Sequence, residues 1–308
     1  MPSVVSAPLA HVAAHLRCPT CSGRLASASR TLRCARGHSF DVARHGYVAL
    51  VPPRRRPMTG DDAAMVAARA TVLDAEHFAP LTTALVRCAV AGTAADAPFV
   101  LDVGAGTGHH LAAVLDALAD AHGVAFDASR AALRQAVRAH PRIAAVAGDV
   151  WHSVPVRDAS VDFAMNVFAP RNPSELARVL RPGATLAVVT PAPNHLHELA
   201  ALHRVGVAPR KRERLHGDLE ASFDLVCVRR VAWKLRLTRP EAGAVVRMGP
   251  AARHLTPAVE RRLRALPETL TVTAAVDLHI FRRQPQAGDS EAGQPASAWS
   301  ARTAATAP

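Results

Sequence analysis

Three cysteines and one histidine near the start of the chain have the types and the spacing of a zinc site. Cys18 and Cys21 form one close pair, and Cys34 and His38 form a second pair after an interval of twelve residues. Three thiolates and one imidazole complete a tetrahedral shell, so no coordination position remains for activating a water molecule. These residues predict a structural zinc ion that holds a small module together, and the alternative is a redox-active cysteine pair.

A glycine-rich turn between an apolar run and a helical segment is the second candidate site. Its sequence is Asp102-Val103-Gly104-Ala105-Gly106-Thr107-Gly108. Alternate glycines allow the backbone to approach a ligand closely, and the following helix start offers amide groups to a carboxylate or a phosphate. The third glycine of a dinucleotide-binding fingerprint would fall at His109, so the spacing departs from that motif.

Two further acidic residues end the next two predicted strands. Asp127 lies 25 residues after Asp102, and Asp149 ends the strand that follows. Acids at the carboxyl ends of neighbouring parallel strands share one edge of a sheet, where Asp127 can accept both hydroxyls of a ribose. Helix capping is the alternative role of Asp127 and Asp149, and Asp102 is alternatively a buried turn acid satisfied by backbone amides.

The apolar pattern predicts the elements that position these groups. Short apolar runs alternate with helical segments, which is typical of βαβ units and a parallel sheet covered on both faces. The predicted strands are 99–103, 123–126, 143–147, 161–168 and 185–190, and the helices between them include 111–119 and 131–139. Strand-like pieces near 223–237 and 270–281 follow, with a helix between them. The fold class is therefore α/β.

The composition divides the chain into four segments. We predict a zinc-binding module with a basic linker over 1–57, a helical connector over 58–97, an α/β domain over 98–284 and a disordered tail over 285–308. Short strands at 31–34 and 47–51 suit a zinc-held ribbon, and Asp61 and Asp62 are placed to cap the connector's first helix. The tail is rich in Gly, Ser, Ala and Pro and has few large apolar residues.

The charge balance favours a polyanionic partner. Lysine and arginine number 37 against 25 acidic residues, a net charge of +12. Arg54, Arg55 and Arg56 form a run on the proline-bounded linker, and a second arginine-rich stretch covers 204–214, as in an RNA footprint. Biased overall composition is the alternative explanation. No signal peptide or apolar run of membrane-spanning length is evident, which predicts a reduced, cytoplasmic protein with no membrane partner.

The glycine turn and the strand-end acids together resemble the class I S-adenosylmethionine-dependent methyltransferases. The resemblance implies a Rossmann-like methyltransferase domain over 98–284 with S-adenosylmethionine as cofactor. The glycine turn of Gly104, Gly106 and Gly108 would hold the methionine portion. Asp127 would hold the ribose and Asp149 the adenine amine.

The zinc module and its neighbours resemble one family within this class, the RlmA family of 23S ribosomal RNA guanine-N1 methyltransferases. The residues that carry the likeness, in order along the chain, are Cys18-Pro-x-Cys21, Cys34-x-x-x-His38-x-Phe40-Asp41, Gly60-Asp61, Ala68-Arg69, Leu73-Asp74-Ala75-x-His77-Phe78, Phe168-Ala169-Pro170, Glu175-Leu176-Ala177-Arg178 and Thr190-Pro191-x-Pro193-x-His195. The likeness spans about Cys18 to Arg283. Each piece is weak evidence alone, whereas the ordered set is specific.

The family resemblance implies further cofactor contacts. It places an aromatic ring at Phe78, contacts at His109, His110 and Leu111 after the turn, and another at His195. An aromatic face suits a sulfonium cation. The family's common Tyr-Tyr pair is His109-His110 here. Core packing is the alternative role of Phe78, and His195 is alternatively a loop residue without a ligand.

The implied reaction is methylation of guanine N1 in a 23S rRNA hairpin. N1 lies on the Watson–Crick edge, so the base must be unpaired or pulled from its stack. Asn166, at the end of the fourth strand, is a candidate for orienting the guanine, although an amide does not readily take a proton. Asp61 and His77 are weaker candidates for the base and are alternatively a helix cap and a packing residue.

Two subgroups of the family modify neighbouring guanines in this hairpin. The Ala, Arg and Val bias and the run 166–173 are more similar to the actinomycete subgroup, which includes determinants of resistance to tylosin-type macrolides. The sequence leaves open which guanine is modified, whether the role is resistance or routine maturation, and whether the chain forms a homodimer. Two other functions remain as alternatives: a small-molecule methyltransferase whose zinc module binds a partner, and a non-catalytic zinc protein that binds RNA.

Overall fold

The computed structural model describes residues 6–52, 60–200, 202, 211–249, 252–253 and 255–285, with no side-chain description for 211–214. A short helix α1 (Ala7–Val12) precedes a three-stranded antiparallel ribbon of β1 (Leu25–Ala28), β2 (Thr31–Cys34) and β3 (Ser39–Asp41). The predicted strand 31–34 is therefore confirmed. The strand predicted over 47–51 is shorter, because β4 covers only Val48–Ala49. It was also predicted in the ribbon, whereas β4 pairs in parallel with residues 146–147 of the large sheet.

An eight-stranded mixed sheet forms the body of the molecule. Its strands beyond β4 are β5 (Phe99–Val103), β6 (His122–Asp127), β7 (Ile143–Ala147), β8 (Val161–Val167), β9 (Leu180–Pro191), β10 (Phe223–Thr238) and β11 (Thr269–Arg283). The order is β10-β11-β9-β8-β5-β6-β7-β4. The strands from β9 to β4 are parallel, whereas β11 and β10 are antiparallel to their neighbours. The carboxyl ends of β5, β6, β7, β8 and β9 therefore lie at one edge.

Helices cover both faces of this sheet. They are α2 (Ala63–Asp74), α3 (Ala79–Gly92), α4 (His109–Ala117), α5 (Arg130–Ala139), α6 (Pro173–Val179), α7 (Lys211–Leu219), α8 (Arg239–Arg247) and α9 (Pro257–Arg264). Every residue of β5 is buried. Val100 faces the core under α2 to α5, whereas Leu101 faces the core under α1, α6, α7 and the ribbon, as the alternation of a strand requires.

Local sequence signals explain where several helices begin. The side chain of Asp62 accepts a hydrogen bond from the Met65 N–H and caps α2, as predicted. Ser129 caps α5 in the same way, and Thr238 and Glu241 form a reciprocal capping box at α8. The single helix predicted between the last two strands is two helices, α8 and α9.

The three-stranded ribbon and the large sheet share one core. Leu25 and Leu32 of the ribbon belong to the same buried cluster as Val124 and Phe126 of β6, and α1 contacts β6 and β7. The segment boundaries predicted above stay a prediction, and most of the predicted tail lies outside the described residues. Within the described ranges, no helix combines the length and apolarity that a membrane crossing requires.

Candidate active site and zinc site

The four predicted zinc ligands converge at one point of the ribbon. Their ligand atoms all lie within 4.8 Å of one another. His38 Nδ1 is 3.3 Å from Cys34 Sγ and 3.6 Å from Cys18 Sγ, and the Sγ atoms of Cys21 and Cys34 are 3.7 Å apart. A tetrahedral zinc ion with Zn–S bonds of about 2.3 Å separates ligand atoms by roughly 3.5 to 3.8 Å. The donor set therefore fits zinc, with Nδ1 as the histidine ligand.

The glycine turn adopts a backbone that requires glycine at three positions. Gly104, Gly106 and Gly108 have φ angles of +80°, +55° and +78°, a region that other residues rarely adopt. A Cβ atom at Gly104 would collide with the side chain of Ala169, whereas one at Gly106 would meet only the end of the Arg69 side chain, 3.3 Å away. The space beside Gly106 is therefore bounded by the side chain of Arg69 alone.

The helix that follows the turn offers a set of amide groups. Ala112 donates back to the Gly108 carbonyl, so the N–H groups of His109, His110 and Leu111 have no acceptor within α4. The Leu111 side chain is fully buried in the core, which leaves its backbone as the part that can contact a ligand. Burial lowers the pKa of His109, and it lowers the pKa of His110 to about 3. A neutral imidazole there is compatible with a cationic ligand.

Asp127 holds the glycine turn to the start of the next helix. Its Oδ2 atom accepts a hydrogen bond from the Gly106 N–H at 2.8 Å, and its Oδ1 atom accepts from the Ser129 N–H at 2.7 Å. Burial raises the pKa of Asp127, and these two amide donors oppose the rise. Asp127 therefore fixes the segment before α5, whereas the cap of that helix is Ser129. Each carboxylate oxygen keeps a further lone pair for a ribose hydroxyl.

The other two strand-end acids differ in burial. Burial raises the pKa of Asp102 well above its ordinary value, and the Asp127 carboxylate adds to the rise. Among the described residues, Asp102 Oδ1 has no hydrogen-bond partner. A buried acceptor beside the turn fits a ligand with an amino group, as the methionine portion of S-adenosylmethionine has. Asp149 is half-buried, and its Oδ1 atom accepts from the Trp151 N–H at 3.0 Å.

Phe78 and His195 lie in a row of aromatic rings at the same edge. The Phe78 ring is 5.6 Å from the Trp233 ring and 6.4 Å from the His195 ring, both edge to face. Phe78 is only 2% exposed, so core packing describes it in this structure and its contact with a cofactor stays a prediction. His195 Nδ1 accepts a hydrogen bond from the Ala275 N–H.

The three candidates for assisting the target base have protein partners. Asn166 is fully buried, and its Nδ2 atom donates to the carbonyls of Val103 and Pro170 at 2.9 and 3.0 Å. Asp61 pairs with Arg69 at 2.6 Å. His77 Nε2 lies 3.0 Å from Glu241 Oε1. These contacts position neighbouring segments, and the catalytic roles stay predictions.

Two further residues at this edge were not predicted from the sequence. Arg69 reaches Gly106 from α2, and its Nη2 atom also donates to the Met248 carbonyl at 2.9 Å. Phe168 is 46% exposed directly after β8. Both residues occur in the segments that carry the family resemblance, and this was the only sequence signal for them. Arg54, Arg55 and Arg56 lie outside the described residues, as does most of the stretch 204–214.

The fold and the site define a class of protein. A Rossmann-like sheet carries a glycine turn after β5 and a strand-end carboxylate after β6, and a Cys₃His ribbon packs beside it. A family model described as "Methyltransferase domain" matches residues 100–183, and one described as "RlmA, N-terminal" matches residues 16–56. The chain is a class I S-adenosylmethionine-dependent methyltransferase with a structural zinc ribbon.

Comparison with curated proteins identifies the family. The chain is 47% identical over 280 residues to the 23S rRNA (guanine(748)-N(1))-methyltransferase of Streptomyces fradiae, an alignment that covers 89% of this chain and 99% of that protein. It is 46% identical over 287 residues to a protein of Micromonospora griseorubida provisionally named as a 23S rRNA (guanine-N(1)-)-methyltransferase, covering 87% and 97%. The chain therefore belongs to the RlmA-type methyltransferase family, and the predicted fold class and resemblance are confirmed.

Substitution of Asp127 is expected to weaken cofactor binding. Asp127→Ala removes the predicted acceptor for a ribose and frees the Gly106 N–H, so the loss in S-adenosylmethionine binding free energy should be about 1 to 3 kcal/mol. Isothermal titration calorimetry measures it. Asp96→Ala, in an exposed loop before β5, is the control and should leave the affinity unchanged. Equal affinities for all three proteins would place the ribose elsewhere.

Proposed function

We propose that this protein transfers a methyl group from S-adenosylmethionine to N1 of a guanine in 23S ribosomal RNA. The observation that carries the proposal is the alignment with the Streptomyces fradiae enzyme over 99% of that protein's length, which includes both the ribbon and the methyltransferase fold. That enzyme's name specifies guanine 748, and we propose the equivalent guanine as the target here. A small-molecule substrate would leave the retained zinc ribbon and the basic charge unexplained.

The cofactor is proposed to lie along the edge formed by β5, β6 and β7. The amides of the glycine turn and of the first turn of α4 would face its methionine portion, with Asp102 available to the amino group and Arg69 to the carboxylate. Asp127 would hold the ribose, and Asp149 would accept from the adenine amine. The rings of Phe78 and His195 and the neutral His110 would surround the sulfonium without adding positive charge.

When bound, S-adenosylmethionine would supply an electrophilic methyl group to guanine N1, with the thioether S-adenosylhomocysteine as the leaving group and the N1 proton passing to solvent. The chain's own residues contribute alignment of the two partners. Asn166 is proposed to help fix the guanine's edge, directly or through the backbone carbonyls to which it donates. Asp61 pairs with Arg69, and His77 contacts Glu241, so neither side chain is free to accept this proton.

A methylation assay with defined RNA tests the proposal. The protein is incubated with radiolabelled S-adenosylmethionine and either a 23S rRNA hairpin that contains guanine 748, the same hairpin with 1-methylguanosine at that position, or a panel of small metabolites. We expect label only in the unmodified hairpin, and a reverse-transcription stop at that guanine, because a methyl on N1 blocks pairing. Transfer to a metabolite and to no RNA would overturn the proposal.

The linker arginines are predicted to contact RNA phosphates. Changing Arg54, Arg55 and Arg56 together to alanine should weaken hairpin binding and reduce the slope of log K against log salt by about 2, because fewer counterions are released. The same triple change to lysine keeps the charge and should preserve the slope. Fluorescence anisotropy at several salt concentrations measures both. An unchanged slope in the alanine variant would show that the linker does not contact RNA.

Three finer points belong to the same proposal. A ribosomal RNA substrate supports a location in the cytoplasm. The resemblance to the actinomycete subgroup supports a role in tylosin-type macrolide resistance, which expression in a macrolide-sensitive host tests directly. A homodimer stays a prediction, and light scattering of the purified protein decides it.

A further inference from the structure

Phe168 combines exposure with an unfavourable backbone conformation. It directly follows β8, is 46% exposed and has a φ angle of +53°. Bulky residues rarely adopt this region, and such strain concentrates at functional sites. In the described part of the chain, the other large apolar residue with a positive φ is Leu196, at +54°. Leu196 follows His195, and the rings of His195 and Phe168 are in contact.

The Phe168 ring is the exposed end of a fixed row of rings. Its centroid is 5.7 Å from that of His195 with a 30° tilt, and the row continues through Phe78 to Trp233. Hydrogen bonds hold the row at two points, because the Ala275 N–H donates to His195 Nδ1 and Trp233 Nε1 donates to the His77 carbonyl. The Phe168 ring therefore has a firm backing on one side and solvent on another.

The segment that carries Phe168 lies next to the glycine turn. The Asn166 amide ties the segment to the Val103 carbonyl, at the end of β5, and to the Pro170 carbonyl. The Phe168 N–H donates to the Val189 carbonyl of β9. The side chain of Ala169 is the one that a Cβ atom at Gly104 would strike. An exposed aromatic face is thus held beside the turn proposed to bind the cofactor.

We propose that Phe168 is the stacking platform for the methylated guanine, with His195 as its support. The inference rests on the proposed function and adds a residue that contacts the target base. A base drawn out of an RNA stack loses its neighbours, and an aromatic side chain replaces one of them. Packing within the protein does not account for a half-exposed phenyl ring on a strained backbone, whereas a purine stacked on its free face does.

The test compares Phe168→Ala with Phe168→Tyr in single-turnover methylation of the 23S rRNA hairpin. Phe168→Ala should lower the methylation rate about 10- to 100-fold, the range expected for losing one base–aromatic stack, while S-adenosylmethionine affinity stays within about threefold because the variant keeps the backbone contacts. Phe168→Tyr keeps the ring and should recover the rate to within about threefold. Leu225→Ala, a similarly exposed residue at 44% on β10, is the control and should match the wild type.

The outcomes separate this inference from the proposed function. Absence of RNA methylation by the wild-type protein would reject the proposed function. Normal rates in Phe168→Ala, with an active wild type, would reject the platform alone. Equal losses in Phe168→Ala and Phe168→Tyr, or a parallel loss of S-adenosylmethionine affinity, would show that the residue only maintains the turn and would also overturn the inference.

Discussion

A double variant, Cys18→Ser with Cys34→Ser, is expected to lose its zinc and the order of the ribbon. Two of four ligands at ligand-atom distances of 3.3 to 3.7 Å are removed, and zinc binding supplies about 10 to 16 kcal/mol of apparent folding free energy in small zinc modules. Metal analysis of the purified protein should fall from about one zinc per chain to near zero. Hydrogen exchange should show loss of protection over β1, β2 and β3.

The shared core determines how far this damage spreads. Leu25 and Leu32 pack in one cluster with Val124 and Phe126 of β6, so the melting temperature of the whole chain should also fall. S-adenosylmethionine affinity measured well below that temperature should stay within about threefold of the wild type, a change of less than about 0.7 kcal/mol, because the ribbon provides no residue of the glycine turn. Cys227→Ser is the control, because Cys227 is not one of the four zinc ligands, and this variant should keep its zinc. Full zinc content in the double variant would disprove the site.

The second large effect is expected at Gly106. Gly106→Val should weaken S-adenosylmethionine binding at least about 100-fold, or about 2.7 kcal/mol, because its side chain would occupy the space where the cofactor is proposed to approach the turn. The chain should still fold, since a Cβ atom there meets only the Arg69 side chain, at 3.3 Å, and no backbone atom. Calorimetry measures the affinity, and thermal unfolding measures the stability.

Substitutions at two other glycines distinguish a block of cofactor binding from backbone strain and from a steric clash within the protein. Gly183 has a φ angle of +77° and open space around its Cβ position, so Gly183→Val imposes the backbone strain alone and should leave cofactor affinity unchanged. Gly104→Ala drives a methyl group into Ala169 and should mainly reduce stability. If Gly106→Val and Gly183→Val bound the cofactor equally well, the methionine portion would have to lie away from the turn.

Much of the fold was predictable because its determinants are local or periodic. The strands 99–103 and 143–147 were predicted with their observed bounds, since fully buried parallel strands are continuous apolar runs between turn residues. The cap at Asp62 and the zinc ligands were also predictable, because a cap and a Cys pair act over a few residues. The two-residue strand β4 was placed in the wrong sheet, because strand partners are chosen by contacts that the local pattern does not encode.

The sequence by itself determined the chemical types available to this protein: a Cys₃His set, a turn that only glycine can form, and acids that end successive strands. Only the tertiary structure decided which groups from distant parts of the chain meet at the edge that carries the glycine turn. Arg69 reaches Gly106 although it lies 37 positions earlier in the chain. Phe168 packs against His195, which lies on another loop. Long-range contacts of this kind depend on the closure of the whole sheet, where many weak packing interactions act together. The spacing of residues along the chain therefore does not predict these long-range contacts.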